Sequence, residues 1–84
     1  MNKNQIFEKI KELLYEEVEL DKSITVELSS EFRNELDLDS LEMINLITLI
    51  EEEFSISIED ELLSKIIVVN DAVEEIYKKI GGEN

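Results

Sequence analysis

The chain has 84 residues and a formal net charge of −14 at pH 7, from 22 acidic and 8 basic side chains. This length allows one small domain with a modest core, and the charge repels nucleic acid phosphates and anionic membranes while attracting partners with basic patches. Histidine and cysteine are absent, which excludes Ser–His and Cys–His nucleophilic pairs, disulfides and thiolate or imidazole zinc sites; we therefore do not expect an enzyme.

The first predicted element is an amphipathic helix from about Gln5 to Val18. Lysines and glutamates fill one face, and Asn2 or Asn4 is available to cap the start. Apolar residues recur at helical spacing on the opposite face, at Ile6, Ile10, Leu13, Leu14 and Val18.

Residues 19–38 lack helical periodicity and predict a long first loop. Its apolar side chains, including Phe32 and Leu36, are expected to cover the helix ends. Residues 23–28 and 54–58 alternate polar and apolar side chains, so a short β pairing between these two segments stays open as an alternative.

The second helix is predicted from about Ser40 to Phe54. Asp39 is a natural N-cap, and Glu42, three residues later, completes a capping-box pattern. Leu41 and Ile44 fall well away from the core-facing stripe, so this helix has more apolar surface than one core contact requires. The stripe itself consists of Met43, Leu46, Ile47, Ile50 and Phe54.

Two further helices complete the expected fold. The capping pattern from Ser57 to Asp60 opens a short helix that runs through about Leu63. The last helix starts after Val69 or Asn70 and ends at Gly81 as C-cap. Its buried stripe is Ala72, Val73, Ile76, Tyr77 and Ile80. The prediction is an all-α, small four-helix bundle with three main helices, one short helix and a long first loop.

No linker interrupts this pattern, because proline is absent and both glycines lie near the end of the chain. We therefore expect residues 1–84 to form a single domain. The first residues are polar, and no apolar run has the length of a membrane span. The expected protein is soluble, cytoplasmic and monomeric, and it does not bind nucleic acid directly. A nucleic-acid mimic, which is acidic for a different reason, stays open.

The motif Asp39-Ser40-Leu41 lies where the first loop meets the second helix, and by itself it indicates only a helix cap. Its surroundings are more specific. The stretch from Leu36 to Phe54, which begins the helix with Asp-Ser-Leu and ends it with Glu-Glu-Glu-Phe, resembles the acyl carrier protein family. The second half of the chain matches the same family at Asp60-Glu61, Lys65-Ile66, Val69 and Asp71-Ala72-Val73.

The resemblance implies that Ser40 carries 4′-phosphopantetheine, transferred from coenzyme A by a separate phosphopantetheinyl transferase. The terminal thiol of the arm then holds an acyl group as a thioester, which gives a chain without cysteine a role in thioester chemistry. The placement is physically suitable, because a helix N-terminus favours the negative charge of a phosphodiester. The implied partners are acyltransferases, ketosynthases and other enzymes of fatty-acid or polyketide synthesis.

Two groups of residues are assigned to recognition and cargo. Apolar contacts flanked by carboxylates suit a partner with a basic patch, and the predicted partner-binding residues are Asp39, Leu41, Glu42, Ile44, Glu51 and Glu52. Glu53 is interpreted as part of a solvated face. The predicted acyl pocket, between the second helix and its neighbours, is formed by Leu46, Ile47, Ile50, Phe54, Ile66, Val68 and Ile76.

Some features depart from the family pattern. Asp37 stands where many members have glycine, so the loop is free to follow a different path. Asn45 and Thr48 replace residues that are often Glu and Met in fatty-acid carriers, which leaves the pathway open. A peptidyl, aminoacyl or D-alanyl carrier using the same Ser40, and an unmodified acidic binding module, are the alternatives.

A metal site is not predicted. Asp37 and Asp39 have the initial spacing of a calcium-binding helix–loop–helix. That loop requires Gly where Glu42 stands and Glu where Thr48 stands, so the pattern fails.

Overall fold

The computed structural model describes residues 1–81, which form four helices: α1 (Lys3–Glu16), α2 (Ser40–Phe54), α3 (Asp60–Leu63) and α4 (Val69–Lys79). Within this range there is no β-strand, and only an isolated antiparallel bridge joins Glu31 to Val68. The all-α prediction is confirmed, and the alternative β pairing between residues 23–28 and 54–58 does not form.

α1 begins before its predicted start because Asn2 caps it. The Asn2 side-chain oxygen accepts from the N–H of Gln5 at 2.8 Å, and the Gln5 side-chain oxygen accepts from the N–H of Asn2 at 2.9 Å. This reciprocal box satisfies two N–H groups that a helix leaves without partners. The helix also ends early, since the N–H groups of Glu17 and Val18 both turn back to the carbonyl of Leu13.

The core lies where α1 packs against α4 and α2. Burying a branched apolar side chain contributes about 1.5–3 kcal/mol relative to leaving it in water, so the helical stripes are the main source of stability. Seven helical side chains in α1, α2 and α4 are at 0% exposure: Ile6, Ile10, Leu14, Leu46, Ile50, Val69 and Ile76. Met43, Phe54, Tyr77 and Ile80, at the edges of the predicted stripes, are partly buried.

The first loop is attached to the core by Phe32, which is completely buried. Its N–H donates to the carbonyl of Ile67 at 3.0 Å, and its own carbonyl accepts from Leu38 at 2.9 Å. Leu36 is buried as well, so the two loop side chains expected to cover the helix ends are part of the core. These contacts fix the loop between Phe32 and the start of α2.

The start of α3 differs from the prediction. Glu59 precedes the helix and makes no side-chain cap hydrogen bond, so the predicted capping pair from Ser57 to Asp60 is wrong. The N–H of Ile58 instead donates to a carboxylate oxygen of Glu51 at 2.7 Å. A tertiary contact from α2 therefore replaces the local cap.

The ends of α4 are set by one carboxylate and one glycine. Val68 has no polar side chain, and the Asp71 carboxylate accepts from the N–H groups of Ile67 at 2.9 Å and Val68 at 3.0 Å. At the other end Gly81 takes a left-handed φ of 70°. Glycine adopts this conformation freely. The C-cap is Ile80, one residue before the predicted Gly81, and Gly81 takes the left-handed position that follows the cap.

Candidate functional site

Ser40 is the first residue of α2 and is exposed to solvent. The helix cap is made by its neighbour: the Asp39 carboxylate accepts from the N–H of Glu42 at 2.8 Å, and the Glu42 carboxylate accepts from the N–H of Asp39 at 2.9 Å. The Ser40 hydroxyl makes no hydrogen bond to another residue in the range 1–81. The helix cap and the hydroxyl that the family resemblance assigns to the arm are therefore on adjacent residues.

Two carboxylates lie at the positive, N-terminal end of the α2 dipole. The unpaired N–H groups and the dipole of a helix N-terminus favour an anion. Here the carboxylates of Asp39 and Glu42 already occupy two of the N–H groups through the capping box. An anionic group attached to Ser40 would share this helix end with two other negative charges.

The turn before Ser40 is held in a conformation that suits glycine. Asp37 has a φ of 61°, in the left-handed region where a Cβ atom is crowded. Leu36 and Leu38, on either side, are 2% and 4% exposed. Their burial holds the turn, so the loop accommodates Asp37 in the conformation that a glycine would take.

An open cleft of about 440 Å³ begins at Ser40, and this volume is within the range of about 300–1,000 Å³ typical of small-molecule sites. One wall is α2, and the opposite wall is the segment that follows α3, while the first loop closes a third side with polar groups. The lining residues are Ser40, Met43, Ile44 and Ile47 from α2, Leu63, Ser64, Ile66 and Ile67, and Glu31, Arg33 and Asn34 from the loop.

The predicted acyl-pocket residues are divided between this cleft and the core. Ile47 and Ile66 line the cleft. Phe54 and Val68 are partly buried, and the remaining three are fully buried core residues: Leu46, Ile50 and Ile76. The open volume in this structure therefore lies beside Ser40 rather than between the core stripes of α2 and α4.

Sequence reasoning missed the polar side of the cleft. Glu31, Arg33 and Asn34 belong to a loop without periodicity, so no local pattern indicated which of their side chains face Ser40. For Ile67 the sequence did contain a signal that could have placed it at a site. It lies in an apolar run between two predicted helices, and this run is longer than a simple turn requires.

The predicted partner-binding residues lie largely on the surface. Leu41 is 77% exposed and Ile44 is 56% exposed, which is high for large apolar side chains. Glu51 is half-buried, and its carboxylate accepts from Ile58 within the chain. Glu53 lies 3.6 Å from the ammonium of Lys9. The Glu53 carboxylate is therefore paired with α1.

Neither a metal cluster nor a membrane-spanning helix is found among the described residues. In residues 1–81, no group of three or more acidic side chains is arranged to hold a metal ion. None of the four helices combines the length and the apolar character needed to cross a membrane.

The chain is similar to known proteins along nearly its whole length. A family model described as a phosphopantetheine attachment site matches residues 5–76. An acyl carrier protein from Petrotoga mobilis is 40% identical over 80 residues, which are 95% of this chain and 93% of that protein. One from Lactobacillus acidophilus is 40% identical over 81 residues, which are 96% of this chain and 100% of that protein.

The fold agrees with these matches. The crystal structure of an acyl carrier protein from Thermotoga maritima superposes with a TM-score of 0.85 at 33% identity, covering 100% of this chain and 96% of that one. The family resemblance predicted from residues 36–54 is confirmed. The chain belongs to the acyl carrier protein family, whose members are carriers rather than catalysts and have 4′-phosphopantetheine as their prosthetic group.

Proposed function

We propose that this protein carries acyl groups on a 4′-phosphopantetheine arm attached to the hydroxyl oxygen of Ser40. The observation that carries the proposal is the free, exposed hydroxyl at the first residue of α2, beside an open cleft. The arm supplies a terminal thiol for thioester chemistry. The chain supplies the attachment oxygen, the helix end that positions it and the cleft beside it.

Attachment requires a separate enzyme, because no side chain within residues 1–81 is hydrogen-bonded to the Ser40 hydroxyl to activate it. In the proposed reaction a phosphopantetheinyl transferase removes the hydroxyl proton, and the Ser40 oxygen bonds to the phosphorus next to the pantetheine of coenzyme A. Adenosine 3′,5′-bisphosphate leaves, and a phosphodiester with one negative charge remains. Asp39 contributes indirectly, since its capping role keeps the helix start formed while Ser40 reacts.

The cleft gives the arm and the first part of the cargo a place to lie. Met43, Ile44 and Ile47 form its apolar wall along α2, and contact with this wall would shield the thioester from water. A longer acyl chain would have to part the close packing around Leu46 and Ile50, which have no exposed surface in this structure. The predicted deep pocket is thus proposed to open only as the cargo grows.

Partner enzymes are proposed to dock on the exposed face of α2. Leu41 and Ile44 offer apolar contact, and Asp39, Glu42 and Glu52 place carboxylates around them. A net charge of −14 would speed encounter with a basic surface on an acyltransferase, ketosynthase or transferase. The compartment expected from the sequence for these encounters is the cytoplasm.

The test is intact mass spectrometry after incubation with coenzyme A, magnesium and each of two unrelated phosphopantetheinyl transferases. Wild type should gain the mass of one arm, and Ser40→Ala should gain none. Circular dichroism should show that Ser40→Ala keeps its helices, because Asp39 makes the cap.

Ser64→Ala is the matched control, since Ser64 is an exposed serine that lines the same cleft. It should be modified as wild type is. Modification of Ser40→Ala would overturn attachment at Ser40, because the arm would then be on another residue. A wild type that stays unmodified with both transferases would overturn the carrier proposal and favour an unmodified acidic binding module.

A further inference from the structure

Arg33 is held at the polar side of the cleft that contains Ser40. The preceding residue, Phe32, is fully buried and bonded through its backbone to Ile67 and Leu38. These bonds close the loop that leads to α2. The base of the Arg33 side chain therefore has a fixed position relative to Ser40, while the side chain itself is exposed.

Within residues 1–81, no carboxylate lies within 4.0 Å of the guanidinium of Arg33. Glu31 lines the same cleft, but its carboxylate accepts from the side-chain amide of Asn34 at 2.6 Å. In the described part of the chain, Arg33 and Lys65 are the side-chain cations with no carboxylate within 4.0 Å. The other lysines, which all have one, are Lys3, Lys9, Lys11, Lys22, Lys78 and Lys79.

This isolation is unexpected in a chain with 22 acidic and 8 basic residues. An unpaired guanidinium is a ready binding group for an anion, and its planar fork of N–H donors matches two oxygens of a phosphate. The proposed phosphodiester on Ser40 is an anion that would enter the same cleft. It would also stand beside the carboxylates of Asp39 and Glu42, whose repulsion a nearby cation would offset.

We propose that Arg33 binds the phosphodiester at the root of the arm and so directs the arm along the cleft. The inference rests on the proposed attachment at Ser40. It assigns to this arginine a role that neither the helical periodicity nor the capping pattern indicated.

The experiment compares wild type, Arg33→Gln, Arg33→Lys and Lys65→Gln, each converted to the form with an arm but no acyl cargo. Intact mass spectrometry first confirms one arm on each protein. The ³¹P NMR shift of the phosphodiester is then recorded from low to high NaCl. Lys65→Gln removes the other unpaired cation, which does not line the Ser40 cleft, and it is the matched control.

We expect the ³¹P shift of Arg33→Gln to differ from wild type, with Arg33→Lys in between and Lys65→Gln unchanged. Added salt should move the wild-type shift towards that of Arg33→Gln, because screening weakens the pair. The chain has a single arginine, so its Nε–H resonance is unambiguous and should shift when the arm is attached to wild type.

The two proposals fail in different ways. Absence of the arm from wild type in the mass spectrum contradicts attachment at Ser40. A different result contradicts only the Arg33 proposal and leaves attachment at Ser40 intact. In that result every protein carries an arm, the ³¹P shifts of wild type and Arg33→Gln are equal, and the arginine resonance does not move.

Discussion

Asp37 carries backbone strain three residues before Ser40, the proposed attachment site. Its φ of 61° lies in the left-handed region, which costs a residue with a Cβ atom about 1–2 kcal/mol relative to the right-handed one. The buried side chains of Leu36 and Leu38 hold the turn, so the core supplies the energy that keeps Asp37 there.

Replacing Asp37 with glycine should therefore stabilise the fold. Aspartate is one of the residues that visit the left-handed region, so the strain relieved is below about 2 kcal/mol, and it is opposed by about 0.4–1 kcal/mol from the greater freedom of glycine in the unfolded chain. We expect a net gain of at most about 1 kcal/mol, or a rise of up to a few degrees in the melting temperature of a domain this small. Thermal unfolding followed by circular dichroism measures it.

Asp37→Asn is the control, because it removes the same charge but keeps a side chain that tolerates left-handed backbone. It should change the melting temperature less than glycine does. Equal shifts in the two variants would mean that loss of charge, and not release of the backbone, stabilises the protein.

At the scale of helices, local patterns predicted what local forces determine. The bounds of α2 and the capping pair of Asp39 and Glu42 were evident from the sequence, because the stripe and the cap both depend on neighbours within four residues. The start of α3 was not, since the N–H of Ile58 is satisfied by Glu51, seven residues away on another element. The polar side of the cleft was also missed, because it comes from a loop without periodicity that is brought to Ser40 by tertiary contacts.

The bond from Ile58 to Glu51 predicts a difference between two adjacent glutamates. Glu51→Ala removes a half-buried charged acceptor and leaves the N–H of Ile58 without its partner. Hydrogen bonds to charged groups contribute about 1.5–3 kcal/mol, and for this half-buried bond we expect a loss of about 1–2 kcal/mol. Urea unfolding gives the value from the shift in midpoint at unchanged slope.

Glu52→Ala is the matched control at the next position, where the side chain is exposed. Its free energy of unfolding should stay within about 0.5 kcal/mol of wild type, as for surface substitutions generally. If the two variants were equally stable, the Glu51 contact would contribute nothing to the fold. Glu51 would then be as free to serve docking as Glu52.

For the molecule as a whole, two electrostatic effects oppose each other. The ion pairs of Lys3 with Glu74 and of Lys22 with Glu16 are exposed at both partners, and such pairs contribute little each. The hydrogen bond and charge of Lys79 lower the pKa of Glu59, and a hydrogen bond from the Ser23 backbone lowers the pKa of Asp21. Against these local attractions stands the repulsion within a chain of net charge −14, which destabilises the compact state.

We predict that repulsion is the larger effect, so that the melting temperature at pH 7 rises with NaCl. Between about 10 mM and 1 M salt the screening length falls from about 30 Å to about 3 Å, which weakens repulsion across the whole molecule. Differential scanning calorimetry over this range measures the rise. A melting temperature that fell with salt would show that the lysine pairs dominate.

The same balance fixes the sign of the pH dependence. Lowering the pH from 7 to about 5 begins to protonate carboxylates and moves the chain towards its isoelectric point of about 4.1. The net negative charge therefore falls. As a result, the melting temperature at low salt should rise, and added salt should raise it less. The Glu59 pair does not oppose this rise, because a carboxylate with a lowered pKa gives its full stabilisation above the ordinary value of 4.5 and loses it only as the pH falls further. Asp21 behaves in the same way below its ordinary value of 3.8. Melting temperatures recorded at both pH values over the same salt series test the coupling, and a salt effect of equal size at pH 7 and pH 5 would contradict it.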